Sequence, residues 1–236
     1  MMKQHHRRGA LVLIVTPLLA LLIGLAMSPA VRVNHITVVA PDLSLGQEVQ
    51  RQLRVPADAS GFFYPLNHIT EQARGCYRVK DVSTERVSPY EIRVTVTARE
   101  PFAALDDGDG FTIISRDGVC LYRKAVSEKL PVLLGMAVPR PPLGSTLPPE
   151  KLLWVCELLA GATKVNLQSE LHVDLRQPLH IVVKTADGLT GVLGNVNNLT
   201  RKMTIVGRTA EQLRSEGKIP VRIDVSLPEA PAWTVK

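Results

Sequence analysis

The hydrophobic rhythm of the chain changes several times, and each change marks a different kind of element. From Gly9 to Val31 no charged residue or histidine interrupts an apolar run. A helix rises about 1.5 Å per residue, so this run spans about 30 Å, the thickness of a bilayer's hydrocarbon core. A helix satisfies its own backbone in lipid, and Pro17 costs it one bond. Signal-peptide apolar cores run to about 15 residues, shorter than this segment, and Pro29 sits awkwardly for cleavage after Ser28. The pattern therefore predicts an uncleaved transmembrane helix over 9–31. At "VRVNHITVV" the run gives way to the alternation of a strand. In "PDLSLGQEVQRQL", Ser44 and Gln47 have capping-box spacing, and Leu45, Val49 and Leu53 recur at helical intervals. A second short helix is expected over Leu66–Arg74, closed by Gly75. "YRVKDVSTERV" and "YEIRVTVTA" read as two strands around a Ser88-Pro89 turn, with Ile92, Val94 and Val96 on one face.

The order β-α-α-β-β over 33–101 predicts a three-stranded sheet with both helices on one face. The alternation stops at "REPFAALDDGDG", which reads as a boundary. Beyond it, "GFTIISRDGVCLY" predicts a hairpin turning at Asp117-Gly118. A proline-rich loop runs into a helix carrying Leu152, Val155 and Leu159, and three strands follow in "LHVDL", "LHIVVKT" and "LTGVLG", the last two joined through Asp187-Gly188. "NNLTRKMTIVGRTAEQLRSEGK" is the most regular amphipathic helix. Leu199, Met203, Val206, Ala210 and Leu213 line one face, Arg201, Lys202 and Arg208 are expected to face out, and Gly217 stops it. "IPVRIDVSL" reads as the last strand. The fold class is α+β: a mixed-sheet β domain over 102–226, with a C-terminal tail over 227–236.

Charge sets the orientation. Lys3, Arg7 and Arg8 precede the span and only Arg32 follows it closely, so the positive-inside rule keeps residues 1–8 in the cytoplasm and exports the rest. Without those three, 25 basic residues face 22 acidic ones. Aromatics make up only 4% of the chain and no basic run is interleaved with them, which argues against nucleic-acid binding. Cys76, Cys120 and Cys156 have no CxxC spacing and are read as small buried hydrophobes.

Fragments that suggest catalysis do not assemble into a site. Ser215 and Lys218 match S-x-x-K, but at the end of a helix rather than at its start. "GVLGN" lacks the Lys-Ser/Thr pair of a P-loop. His172 and His180 fall on neighbouring strands without an evident third ligand. Asp106, Asp107 and Asp109 lack the glycine and distal glutamate of a calcium loop. The chain is not expected to be an enzyme, nor to hold a metal or other cofactor.

A short basic tail, one anchor, a βααββ module beginning "VRVNHITVVA" and a domain closing with "GKIPVRIDVSL" together resemble the bacterial cell-division FtsQ/DivIB family. "SRDGVCLY" is similar to the family's Asp-x-x-Gly hairpin, and "KLPVLLG" to its Leu-Pro segment. Lys202 matches a lysine of its last helix, and Ile223-Asp224-Val225 its closing Ile-Asp-Leu. Arg99-Glu100-Pro101-Phe102-Ala103 departs from its Glu-Arg-x-Pro-x-Ala signature, and Ser226 stands where it has Arg. The resemblance implies a POTRA domain, a β domain and a non-catalytic divisome scaffold at the septum, single-pass in the cell membrane. It implies FtsB/DivIC-like and FtsL-like bitopic partners, captured by a strand added beside the last strand, with no small-molecule substrate. Val221, Arg222, Ile223, Asp224, Val225, Ser226 and Trp233 are the residues so implicated. Val221, Ile223 and Val225 are expected to face the core, with the other side of that strand left open to a partner; the alternative is a strand covered by its own tail, with Trp233 packed as core. A POTRA-bearing chaperone or secretion factor and an anchored cell-wall enzyme are the competing readings.

Overall fold

A computed structural model describes residues 16–17, 24, 32–57, 59–135, 140–167 and 171–236. The predicted span falls almost wholly outside these; Thr16, Pro17 and Gly24 carry helical backbone. No helix among the described residues is long and apolar enough to cross a membrane. The chain divides into two compact units, one up to Ala98 and the other from Arg99 to Lys236. The break lies just before the one expected after residue 101.

The first unit contains β1 (His35–Val39), α1 (Leu43–Gln52), α2 (Leu66–Arg74), β2 (Val79–Ser88) and β3 (Glu91–Ala98). The strand order is β1-β3-β2, with β1 parallel and β2 antiparallel to β3. The hairpin thus supplies the central strand, and the crossover from β1 to β2 carries both helices. Ile92, Val94 and Val96 of β3 pack with Leu45 and Val49 of α1 and Ile69 and Ala73 of α2, as the alternation predicts. The cap of α1 differs from the expected one. Asp42, not Ser44, is the N-cap: its carboxylate accepts the Leu45 N–H at 2.7 Å and the Ser44 hydroxyl at 2.6 Å. Those bonds, with Arg78 at 3.0 Å, hold the Asp42 carboxyl below its ordinary pKa against the effect of burial.

The second unit contains β4 (Pro101–Asp106), β5 (Phe111–Ser115), β6 (Cys120–Lys124), β7 (Val132–Leu134), α3 (Pro149–Thr163), β8 (His172–Asp174), β9 (Ile181–Lys184), β10 (Thr190–Gly194), α4 (Leu199–Ser215), β11 (Pro220–Asp224) and β12 (Ala232–Val235). They form one sheet in the order β12-β11-β10-β9-β8-β7-β4-β5-β6. The expected hairpin turns at Asp117-Gly118 and Asp187-Gly188 are present, with Gly118 and Gly188 at φ +80° and +86°. Three strands were not anticipated: β4 where a boundary was expected, the three-residue β7, and β12 within the supposed tail.

The core lies between one face of this sheet and the two helices. Leu133, Val173, Val183 and Ile223 project from the sheet toward Leu158, Met203, Val206 and Ala210. α3 and the turn that follows it approach α4 closely at two glycines. A Cβ on Gly161 would sit 2.7 Å from the Thr200 carbonyl oxygen, and one on Gly207 would sit 2.4 Å from Val165. One expectation for α4 fails. Arg201 and Arg208 are exposed, but Lys202 is 3% exposed. Its ammonium turns back to the loop after β10 and donates to the Asn195 carbonyl at 3.0 Å and the Asn195 side chain at 2.7 Å. Burial pushes its pKa down.

Candidate functional site

The register of the second sheet fixes which residues share a face. Side chains directly opposite each other on paired strands point the same way. One lateral row therefore runs Leu105, Leu133, Val173, Val183, Gly191, Ile223 and Trp233, from β4 to β12. This is the helix-covered row. Gly191 leaves room within it for Val183 and Val206, whose side chains would lie 2.7 and 3.2 Å from an added Cβ. Val173, Val183 and Ile223 are fully buried. The row then ends on Trp233, which is 53% exposed. Hydrophobic patterning thus continues one strand past the point where the core is closed.

The expected position of the sheet edge needs correction. β11 has two neighbours, β10 on one side and β12 on the other. Ile223 sits between Gly191 and Trp233, and Arg222 between Thr190 and Thr234. Arg222 lies 3.7 Å from Asp224 on the uncovered face, so it does not line the edge. Val221 does not face the core: it is 37% exposed, at an irregularity where β12 offers it no opposite residue. Ile223 and Val225 are buried as expected, and the Val225 N–H donates to the Val192 carbonyl at 2.8 Å. Burial works to raise the Asp224 pKa, but the Ser226 N–H at 3.0 Å, its hydroxyl and Arg222 together bring it below the ordinary value. Ser226 is exposed and packs close to Gly194, whose φ is +68°.

β12 is the edge strand. Proline can precede such a strand because no ladder bond is asked of its nitrogen there, so Pro231 leads into it at no cost. The Lys236 N–H donates inward to the Ile219 carbonyl at 3.0 Å. Peptide groups alternate along a strand, so Trp233 and Val235 direct their N–H and C=O groups outward. Their side chains share one face, and Val235 is 37% exposed. No protein-family model matches the chain, and no curated protein matches its sequence. The site therefore rests on geometry: a backbone row with no strand beside it among the described residues, flanked by an indole and an isopropyl group.

Sequence reasoning had singled out Trp233 without the strand that carries it. The signal was "AWTV", an aromatic and β-branched run directly after a proline. On the uncovered face, His172 and His180 come to one groove of about 890 Å³ with Asp174, Arg176 and Lys184. Asp174 is taken by Arg176, whose Nε donates to it at 3.0 Å, and that bond holds the Asp174 pKa down. No cluster of His, Cys, Asp and Glu among the described residues could hold a metal ion.

Proposed function

We propose that this chain is a membrane-anchored, non-catalytic scaffold of the bacterial divisome, of the FtsQ/DivIB kind. Its exported part captures FtsB/DivIC-like and FtsL-like partners by β-augmentation during septal wall synthesis. The observation that carries this reading is the exposed Trp233 at the end of an otherwise buried row, on an edge strand with free hydrogen-bonding groups. A partner strand laid against β12 gains backbone bonds from Trp233 and Val235 and an apolar contact from their side chains. The capture site lies one strand beyond β11; Ile223 and Val225 support it from the core rather than touching the partner. The apolar run over 9–31 is the anchor, with Lys3, Arg7 and Arg8 on the cytoplasmic side.

Pull-down of the FtsB-like partner by the full chain tests the reading. Val235→Pro deletes an outward N–H while sparing the bonds to β11, and is expected to abolish capture. Trp233→Ala is expected to weaken capture about tenfold or more, the range of an interface hot spot. Both should leave the thermal midpoint of the second unit within a few degrees of wild type. Wild-type capture by both variants would remove the edge from the mechanism. Preferential binding of unfolded polypeptides without a division partner would favour the chaperone reading instead.

A further inference from the structure

A second feature of the Arg99–Lys236 unit lies away from β12, beside α3. A groove of about 770 Å³ has Phe102, Leu130 and Leu159 among its walls, and Arg116, Lys129 and Lys164 around it. Among the described residues no Asp or Glu lines it. The three cations are exposed, and none forms an ion pair among the described residues. Other exposed cations of the unit are matched, among them Lys124 with Glu128, Arg140 with Asp109 and Arg214 with Asp187, while Arg123, Lys184, Arg208 and Lys236 also form no ion pair among the described residues. The neighbouring acids are held elsewhere. Glu128 precedes Lys129 in the chain, yet it accepts from Lys124 and from the Tyr122 hydroxyl at 3.0 Å. Asp117 follows Arg116, yet it is engaged by Arg99 and by the Ser115 hydroxyl at 2.6 Å.

The backbone around the groove is also specialised. Lys129 and Asn166 both adopt left-handed conformations, at φ 62° and 54°, a region that non-glycine residues visit at a cost. The positive surface extends past the groove. Lys164 is shared with a second groove of about 610 Å³ along α3 and α4, which Arg201 and Arg208 line together with Glu157, and Arg201 lies 3.4 Å from Glu229. A membrane surface would call for a flat basic face. An apolar-walled depression continued by a second, largely polar one suits a chain that follows them and inserts a side chain into the first.

We propose that this groove docks an extended acidic segment of a partner protein, with one apolar side chain of that segment seated against Phe102, Leu130 and Leu159. Arg116, Lys129 and Lys164 meet its carboxylates. Unpaired cations of this kind accelerate association and select against basic partners, and their contribution fades as salt rises. This surface is separate from the β12 edge and does not depend on the reading of that edge.

The test uses the full chain in detergent micelles and a fluorescein-labelled ten-residue peptide alternating glutamate with leucine. Cys156 lies on the groove wall and is half-buried, whereas Cys76 and Cys120 are buried, so maleimide labelling reads the groove selectively. The expected result is salt-sensitive peptide binding that protects Cys156 from maleimide. The Lys129→Glu/Lys164→Glu double variant should bind about tenfold more weakly with an unchanged thermal midpoint, while Trp233→Ala binds the peptide as wild type does. Four outcomes would overturn the proposal: equal binding of a glutamate-only peptide, binding that leaves Cys156 unprotected, a preference for phosphatidylglycerol vesicles over the peptide, or self-association of the chain abolished by the double variant.

Discussion

The two units solve the same problem with different degrees of closure. In the first, three strands and two helices surround one core, and β3 is buried between its neighbours and the helices. In the second, nine strands carry helices on one face only, and the last strand lies beyond their cover. The small sheet keeps its edges at β1 and β2, but its apolar face is covered by the helices. A long sheet with an uncovered end keeps backbone and apolar surface in reserve. The difference teaches where apolar surface stays exposed: it is found where the hydrophobic row outruns the core.

The comparison can be broken most severely at the helix pair. Gly207→Leu places a side chain where Val165 already lies, so it should unfold the second unit or lower its midpoint by well over 10 °C, and circular dichroism melts would show it. Next, Ile92→Ala and Ile223→Ala each remove a fully buried side chain. Each should cost about 2–5 kcal/mol, but only in its own unit, as chemical denaturation of the two separately followed units would report. A common loss in both units from either change would mean that they unfold as one.

Acid should separate the units more gently. Among the described residues, Asp42 is the carboxylate of the first unit held below its ordinary pKa; in the second, Asp174, Asp187, Asp224, Glu128 and Glu216 are so held. For Asp187 the causes are its bond from Thr185 and the nearby Arg214 guanidinium. A carboxyl depressed in the folded state stabilises above its unfolded pKa, and that contribution is lost as pH falls through the folded value. The second unit's midpoint should therefore fall faster than the first unit's as pH drops below about 4, and pH-dependent melts would read the sign. The smallest stability effect belongs to Trp233→Ala. Half-exposed at an edge, it should cost less than about 1 kcal/mol while, on the proposed reading, weakening partner capture.

The sequence made the first unit nearly transparent, because each of its elements has a period of its own and joins its neighbour through a short turn. The helices of the second unit and its two Asp-Gly hairpins were equally legible for the same reason. What escaped was short or composite. β7 is three residues long, too few to show alternation, and gains its place only by pairing with β4 and β8. β4 was hidden because Ala103, Ala104 and Leu105 are consecutively buried, which masks the alternation of a strand. Lys202 looked like a solvent-facing charge because the Asn195 acceptors that receive it lie across a loop. The edge was misplaced by one strand because β12 has four residues behind two prolines, and its pairing with β11 depends on a turn that periodicity does not reveal.

The placement of the chain's two tryptophans has a practical consequence. Trp154 is partly buried against the core of the second unit, Trp233 stands at its rim, and the first unit contains neither. Indole emission is therefore blind to melting of the βααββ unit. Replacing Trp154 with phenylalanine would leave Trp233 as a single-colour optical gauge of whether a partner strand has arrived.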